Sequence, residues 1–155
     1  MFASASLDRS IKVWSISTSK GSANFSLVGH AAGVNCVDFC HDNDRSHLVS
    51  GSDDGQVKIW DYQTKQCLYT FTDGHTDNVA AVLYHPDIPI IFSAGEDDVI
   101  NIWNSITYRS EQTLNYGLKR VWALHALPSS NYVAIGFDEA TVVIKVGNEL
   151  PMMSF

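Results

Sequence analysis

The sequence has few cysteines, no long hydrophobic run and no leader-like start. Its three cysteines, Cys36, Cys40 and Cys67, are an odd and sparse set, so we expect no disulfide framework, and a reducing compartment fits. Uninterrupted apolar runs are only a handful of residues long, far below the roughly 20 that a membrane-spanning helix needs. The N-terminus shows neither the basic region nor the apolar region of a signal peptide.

Positive charge is also scarce. Lysine and arginine number 10 against 17 aspartates and glutamates, which gives a net charge of −7 at pH 7. This excess of acid argues against binding nucleic acid or anionic lipid through bulk charge, so no nucleic-acid partner is expected. It is compatible with recognition of a basic peptide. With 155 residues, 45% of them apolar, the chain is long enough for one domain with a core.

What the sequence does have is an internal repeat. Residues 2–14, 49–60 and 92–103 align without gaps, and each places a Ser four residues before an Asp that itself lies six residues before a Trp. These repeated residues are Ser4, Asp8 and Trp14, then Ser50, Asp54 and Trp60, then Ser93, Asp97 and Trp103. A Gly-His pair containing His30 or His75 precedes the second and third sets. A degenerate fourth unit over 133–144 keeps Asp138 but has neither the Ser nor the Trp.

Between these residues the sequence predicts short strands and turns. Runs rich in Val, Ile and Phe over 47–52 and 89–94 lead into acidic turns, as strands do. Further strands are predicted over 67–71 and 112–114, and no stretch shows a convincing helical period. Four short strands in roughly 43 residues, with no helix between them, predict an all-β fold of radially repeated antiparallel sheets.

These features resemble the WD-repeat β-propeller family over essentially the whole chain. Trp60-Asp61 even keeps the dipeptide that names the family, whereas the other two repeat Trp residues are followed by Ser and Asn. The resemblance implies that the His, Ser and Asp of each blade hydrogen-bond in series to the indole N–H of its Trp. Each buried polar group would thereby have a partner.

The length predicts an incomplete propeller. The chain holds about three and a half blades, whereas a closed ring takes about four to eight. Residues 2–6 are predicted as the second strand of a blade, and no closing strand is identified near Phe155. We therefore expect half a blade over 1–28, full blades over 29–72 and 73–115, and a degenerate blade over 116–155, within a ring of seven. Open sheet edges then predict marginal solubility and stability.

Segments outside the repeat are more specific. Residues 2–14, 58–65, 85–91, 113–122 and the tail 146–151 together resemble the second half of the N-terminal propeller of the beta-prime family of coatomer subunits, which coat COPI vesicles. The alpha family is the main alternative, and the tail favours beta-prime. The resemblance implies a cytosolic scaffold, without a cofactor, that works with the other coatomer subunits. It would be peripheral to Golgi membranes and COPI-coated vesicles, in Golgi-to-ER and intra-Golgi transport.

The resemblance also implies a receptor for the C-terminal dilysine tails of membrane cargo proteins. Such a tail needs acidic side chains for its two ammonium groups and a basic patch for its carboxylate. Propeller geometry places the residue before each repeat Asp, and the start of each first strand, on the narrow face where partners dock. The positions so nominated are Leu7, Asp53, Glu96, Phe137, Gly33, Asn35, Asn78, Ala80, Arg120 and Trp122.

Four of these positions are the candidate peptide-binding residues. Asp53 matches the family's position that pairs with a cargo lysine, and Glu96 is the next acid on the same rim. Trp122 could stack on a lysine stem, and Arg120 could hold a carboxylate. A structural role is an alternative for each of the four. Asp53 would then be a solvated acid in a turn, Glu96 and Arg120 would be exposed charges on the rim, and Trp122 would pack in the core. The basic groups that complete a carboxylate site are expected in other blades.

Rival functions remain open at this stage. The chain could be another WD-repeat adaptor, such as a ubiquitin-ligase adaptor, a chromatin reader or a signalling scaffold, or it could have no function until its ring is closed. A serine hydrolase built on Ser50, His30 and Asp54 is disfavoured because the set is repeated and no G-x-S-x-G motif surrounds the serines. No catalytic residue is therefore predicted.

Metal sites are also disfavoured. The cluster Cys36-x3-Cys40-His41 has no second Cys or His pair, so we interpret its cysteines as small hydrophobic residues in or near a strand. The paired turn acids Asp53-Asp54 and Asp97-Asp98 offer too few oxygen ligands at fixed spacing for calcium. No metal is predicted.

Overall fold

The structure is a computed structural model that describes residues 1–16, 23–147 and 152–154, the last three by their backbone only. The described residues form fifteen β-strands in four antiparallel sheets, and none of them lies in a helix. The expected all-β architecture is therefore confirmed. Within the same ranges, no helical segment with the length and hydropathy of a membrane span is found.

The strands pair in chain order within each sheet. The first sheet has three strands: β1 (Phe2–Ala5), β2 (Ser10–Trp14) and β3 (Phe25–Val28). The second has β4 (Val34–Phe39), β5 (His47–Ser52), β6 (Val57–Asp61) and β7 (Gln66–Phe71). The third has β8 (Val79–Tyr84), β9 (Ile90–Gly95), β10 (Val99–Asn104) and β11 (Ser110–Asn115). The fourth has β12 (Val121–Ala126), β13 (Tyr132–Phe137), β14 (Thr141–Lys145) and β15 (Met152–Ser154).

The last strand corrects one expectation. No closing strand was identifiable from the sequence near Phe155, yet the backbone of β15 pairs with β14, with Ser154 opposite Val143 and Met152 opposite Lys145. Three residues are too few to show the alternation of apolar and polar positions by which a strand is recognised. The pairing of the backbone, which the sequence pattern does not report, defines this strand.

Neighbouring sheets meet along their first strands. β4 contacts β8, β8 contacts β12, and β1 contacts β4, as in sheets arranged radially around an axis. Each of β4, β8 and β12 carries a bulge near its start, at Asn35, Ala80 and Trp122 respectively. Because a bulged residue drops out of the ladder and its side chain is re-aimed, these three positions are set apart from the regular sheet.

The hydrophobic core is divided into three clusters, one between each pair of consecutive sheets. In the second sheet, Leu48 and Trp60 pack towards the first sheet, whereas Val49 and Ile59 pack towards the third. All four are almost fully buried. A sheet covered on both faces explains why neighbouring residues of one strand, such as Leu48 and Val49 or Ile59 and Trp60, are both apolar and both buried.

A close approach between sheets depends on one glycine. A Cβ at Gly51 in β5 would lie 2.5 Å from Cγ1 of Val79 in β8 and 2.8 Å from Sγ of Cys36. Both distances are far inside van der Waals contact, so the second and third sheets can pack this closely only where no side chain is present.

Candidate functional site

A continuous chain of hydrogen bonds joins Trp60, Ser50, His30 and Asp54. The indole N–H of Trp60 donates to Oγ of Ser50 at 2.8 Å, and Nε2 of His30 lies 2.8 Å from the same Oγ. Nδ1 of His30 lies 2.9 Å from Oδ2 of Asp54. Because Ser50 Oγ accepts from the indole, its own hydrogen is free to bond His30 Nε2, and Nδ1–H of His30 then donates to the carboxylate.

The third sheet repeats this chain with the same geometry. Trp103 donates to Oγ of Ser93 at 2.9 Å, Nε2 of His75 lies 2.8 Å from that oxygen, and Nδ1 of His75 lies 3.1 Å from the carboxylate of Asp97. The first sheet keeps one link, from Trp14 to Ser4 at 3.0 Å. The structure thus brings together the repeated residues that the sequence singled out.

The repeat aspartates also accept hydrogen bonds from backbone N–H groups within the turns. Asp54 Oδ1 accepts the backbone N–H of Gln56 at 2.9 Å, and Asp8 does the same for Ser10. In the first three sheets, the residue after the repeat Asp has a left-handed backbone: φ is 73° at Arg9, 74° at Gly55 and 64° at Asp98. Each carboxylate therefore closes a tight turn, and in the second and third sheets it also anchors the histidine loop.

Burial sets the protonation of these groups. It lowers the pKa of His30 and of His75, and their neighbouring carboxylates only partly oppose the effect. Burial alone would raise the pKa of Asp54, but the hydrogen bonds from His30 and from two backbone N–H groups outweigh it and lower that pKa. A neutral histidine beside an ionised aspartate is the state that the hydrogen-bond chain requires.

The same chain rules out one rival use of these residues. Ser50, His30 and Asp54 are connected in the order of a hydrolase triad. However, the side chains of Ser50 and Ser93 are fully buried, and each Oγ already accepts an indole N–H. No substrate can reach either oxygen, so these residues stabilise the sheets and do not act as nucleophiles.

Cys36 and Cys40 lie in structural positions against the hydrophobic core, whereas Cys67 is exposed. Cys36 packs against the core cluster between the second and third sheets, and its Sγ–H donates to the carbonyl of Gly51 at 3.7 Å. Burial raises the pKa of the Cys36 thiol to about 12, so the thiol keeps its proton in this environment. Among the residues that the structure describes, no group of three His, Cys, Asp or Glu side chains could hold a metal ion.

The candidate peptide-binding residues lie at one end of the sheets, which we call the Asp53 face: the turns β1–β2, β5–β6, β9–β10 and β13–β14 with the loops that enter β4, β8 and β12. There, Asn35 at the β4 bulge donates from Nδ2 to Oδ1 of Asp53 at 2.6 Å. The same amide reaches the carbonyl of Val79 at 3.1 Å and so bridges two sheets. Asp53 is exposed, and no lysine or arginine in the described chain pairs with it.

Glu96, Arg120 and Trp122 form a separate cluster around Asp138. Nη1 of Arg120 lies 3.5 Å from Oε2 of Glu96, and Nε of Arg120 lies 3.1 Å from Oδ2 of Asp138. The indole N–H of Trp122 donates to Oδ1 of Asp138 at 2.5 Å, and the guanidinium lies 5.2 Å from the Trp122 ring centre. The Trp122 hydrogen bond, with help from Arg120, lowers the pKa of Asp138.

This cluster changes how the four candidates are interpreted. Glu96 and Arg120 were considered as separate ligands for a lysine and a carboxylate, but they pair with each other across two sheets. Trp122 is 48% exposed and lies on the surface, so the core-packing alternative does not apply to it. Asp138 was seen in the sequence only as a remnant of the repeat. Its position opposite the β12 bulge, which sequence spacing does not reveal, makes it the centre of the cluster.

Radial sheets tied by Trp–Ser–His–Asp chains define a WD-repeat β-propeller. The chain belongs to this family: the family described as "WD domain, G-beta repeat" matches residues 21–61 and 65–104. In particular, the chain is similar to coatomer subunits beta'. It is 52% identical over 153 residues to "Coatomer subunit beta'" of Drosophila melanogaster and 50% identical over 153 residues to "Coatomer subunit beta'-1" of Arabidopsis thaliana.

A more distant relative is "Probable coatomer subunit beta'" of Schizosaccharomyces pombe, which is 37% identical over 153 residues. Each of these three alignments covers 99% of this chain. They cover 16% of the Drosophila and Arabidopsis proteins and 19% of the Schizosaccharomyces protein. The chain therefore spans less than a fifth of the length of these curated relatives.

Proposed function

We propose that the chain is part of a scaffold subunit of the COPI coat, whose Asp53 face recognises the C-terminal dilysine tails of membrane cargo proteins. The similarity to coatomer subunits beta' over 99% of the chain supports the first half of this proposal. The scaffold would work with the other coatomer subunits at the cytosolic side of Golgi membranes and on COPI-coated vesicles. The rest of the proposal depends on the acids of the Asp53 face.

The observation that carries the cargo proposal is the unpaired carboxylate of Asp53. Glu96 and the neighbouring Asp138 both contact Arg120, whereas Asp53 has an amide partner in Asn35 and no cation among the described residues. The Asn35 bond fixes the orientation of the carboxylate. An ammonium group that arrives there finds an accessible, oriented anion and has no bound cation to displace.

Glu96 supports a second, weaker contact. Its partner Arg120 is 51% exposed, and ion pairs in such positions contribute little because solvent screens them. The second lysine of a tail could therefore replace Arg120 at Glu96, while Arg120 keeps its bond to Asp138. The exposed ring of Trp122 beside this pair offers an apolar surface for a lysine stem.

The test uses the full-length protein and a fluorescent peptide that ends in a dilysine motif with a free carboxylate. Asp53→Asn removes the charge but keeps the oxygen that accepts from Asn35, and we expect it to weaken binding by about tenfold. Asp77→Asn is the matched control: Asp77 is an exposed acid in the loop that enters β8, and its Oδ1 accepts the N–H of Asn78. We expect this control to bind as the unchanged protein does.

Equal affinity of the Asp53 and Asp77 variants would refute the role of Asp53. A peptide with an amidated C-terminus separates this function from that of another WD-repeat adaptor. A dilysine receptor loses affinity when the carboxylate is blocked, whereas an adaptor that binds internal basic motifs does not.

A further inference from the structure

A second surface lies at the other end of the sheets, which we call the His85 face: the loops β4–β5 and β8–β9 with the turn β10–β11. A cavity of about 320 Å³ opens there between the second and third sheets. It is lined by loop residues of both sheets, among them Arg45, Tyr84, His85, Asp87, Ile88 and Ile106. The repeat does not account for this cavity, since every residue of the hydrogen-bond chains lies elsewhere.

Unpartnered polar atoms are concentrated at this end. In the described part of the chain, three buried side-chain atoms have no hydrogen-bond partner: Nδ1 of His47, the hydroxyl of Tyr84 and Nε2 of His85. All three residues lie at the His85 face ends of β5 and β8, and Tyr84 and His85 line the cavity. Tyr84 is 2% exposed and His85 is 3% exposed. Buried polar groups are nearly always satisfied, so a concentration of exceptions indicates a missing partner.

The hydrogen bonds of His85 determine what that partner must offer. Nδ1 of His85 accepts the backbone N–H groups of Asp87 and Ile88, at 3.2 and 3.3 Å. Burial lowers the pKa of His85, so the ring is neutral and its one hydrogen is on Nε2. The unpartnered atom is thus a donor, and the hydroxyl of Tyr84, which also lines the cavity, can donate as well. The occupant must bring a hydrogen-bond acceptor.

The charges around the cavity favour a basic rather than an acidic occupant. Arg45 is already engaged, because its Nε lies 3.5 Å from Asp42 and its Nη1 reaches the carbonyl of Ser105 at 3.4 Å. Asp87 is exposed and has no cation partner in the described chain. The free charge at the cavity is therefore negative. Ile88 and Ile106, which is 56% exposed, contribute apolar side chains to the wall of the cavity.

We propose that this cavity binds an extended segment of a partner protein that has a small apolar residue next to a lysine or arginine. The apolar side chain packs against Ile88 and Ile106, a backbone carbonyl accepts from His85 or Tyr84, and the basic side chain pairs with Asp87. A neutral carbonyl suits the donors without bringing a further negative charge beside Asp42 and Asp87. This surface lies at the opposite end of the sheets from Asp53 and does not depend on cargo recognition there.

The test measures fluorescence polarisation of capped peptides of about eight residues with the full-length protein. Each peptide has a central Val flanked by lysines, by glutamates or by serines, and capping removes the free carboxylate that a dilysine tail needs. We expect the lysine-flanked peptide to bind best. Tyr84→Phe deletes the unpartnered hydroxyl, and Asp87→Asn deletes the free charge. Each variant is expected to weaken binding by about fivefold.

Tyr84→Phe also separates binding from folding. Because this substitution removes an unsatisfied buried hydroxyl, we expect the thermal unfolding midpoint to be unchanged or higher. A loss of peptide affinity in this variant therefore reports on the cavity and not on folding. Three results would overturn the proposal: no preference for the lysine-flanked peptide, full affinity in both variants, or loss of affinity in Asp53→Asn. The last result would place the peptide on the Asp53 face.

Discussion

The carboxylate of Asp38 accepts a hydrogen bond from the backbone N–H of Tyr84 at 2.8 Å. This bond ties β4 of the second sheet to β8 of the third. Burial raises the pKa of Asp38, although the backbone N–H groups of Tyr84 and Phe39 favour its ionised form. A single acid in the first strand of one blade thus supports the packing of the next blade.

Asp38→Ala and Asp38→Asn are expected to differ in stability. The Ala variant leaves the Tyr84 N–H without a partner and should lower the free energy of unfolding by about 1–3 kcal/mol. The Asn variant keeps an acceptor oxygen and removes the buried charge, so it should remain within about 1 kcal/mol of the unchanged chain. Urea unfolding at neutral pH measures both. Equal losses in the two variants would show that the hydrogen bond to Tyr84 does not matter.

Ser50 is expected to be more sensitive than its small side chain suggests. Ser50→Ala leaves both the Trp60 indole and His30 Nε2 without their partner, so it should lower the free energy of unfolding by about 2–4 kcal/mol. Ser4→Ala is the matched control in the first sheet, where one indole bond is lost in a half-buried site, and it should cost about 1 kcal/mol. Chemical unfolding measures the loss of unfolding free energy in the two variants. A larger loss for Ser4→Ala than for Ser50→Ala would contradict the role of the four-residue chain.

Acidification is expected to destabilise the fold through His30 and His75. Both have a folded-state pKa below the ordinary 6.5, so the unfolded chain takes up protons that the folded chain does not. Burial also lowers the pKa of His47 and of His85, which therefore act in the same direction. Their contribution to stability is complete above pH 6.5 and is lost as the pH falls from there towards the folded-state pKa. Asp38 has the opposite effect, because burial raises its pKa in the folded state. Its contribution to stability is complete below the ordinary carboxyl pKa and is lost as the pH rises through its folded-state pKa.

The measurement is the urea midpoint between about pH 7.5 and about pH 5.5, where the histidine effect dominates and the midpoint should fall. His41→Gln is the control, because His41 is exposed and is not part of either chain. It should leave the slope unchanged. A midpoint that stays constant over this range in the unchanged chain would mean that the buried histidines titrate as they do in the unfolded state.

Two glycines in equivalent positions should tolerate alanine differently. Gly51 lies opposite Cys36, and Gly136 lies opposite Ala123, at the same place in their sheets. A Cβ at Gly51 meets Val79 at 2.5 Å, whereas the nearest atom to one at Gly136 is Cβ of Ala123 at 3.6 Å. Gly51→Ala should therefore destabilise the chain by about 1–3 kcal/mol. Thermal unfolding of Gly136→Ala should differ little from that of the unchanged chain.

Arg120 is expected to compete with basic ligands for Glu96. Arg120→Gln frees Glu96 and Asp138, so the affinity of the full-length protein for a dilysine peptide should rise by about threefold at low salt and less at high salt. Lys119→Gln is the matched control, since Lys119 pairs with Glu139 at 2.6 Å and not with Glu96. Fluorescence polarisation at two salt concentrations measures both variants. Weaker binding by the Arg120 variant would instead assign Arg120 to the carboxylate of the tail.

The all-β architecture and the sets of residues that form the Trp–Ser–His–Asp chains could be predicted from the sequence alone. The Ser, the Asp and the Trp of each set lie in one hairpin, where the strand ladder brings residues ten apart to neighbouring positions: Trp60 and Ser50 are hydrogen-bonded, as are Trp103 and Ser93. The resemblance to WD-repeat propellers implied these contacts, and the ladder of a single hairpin accounts for them.

Contacts between different sheets could not be predicted in this way, because they depend on how the sheets pack. The pairs Asp38 with Tyr84 and Glu96 with Arg120 join residues of neighbouring sheets, and their distances depend on how closely those sheets pack around the axis. The absence of a cation beside Asp53 among the described residues depends on the same packing. Hydrophobic packing sets these separations, and no spacing along the chain encodes them. The binding of a lysine by Asp53 accordingly stays a prediction, while the availability of its carboxylate is a property of the folded chain.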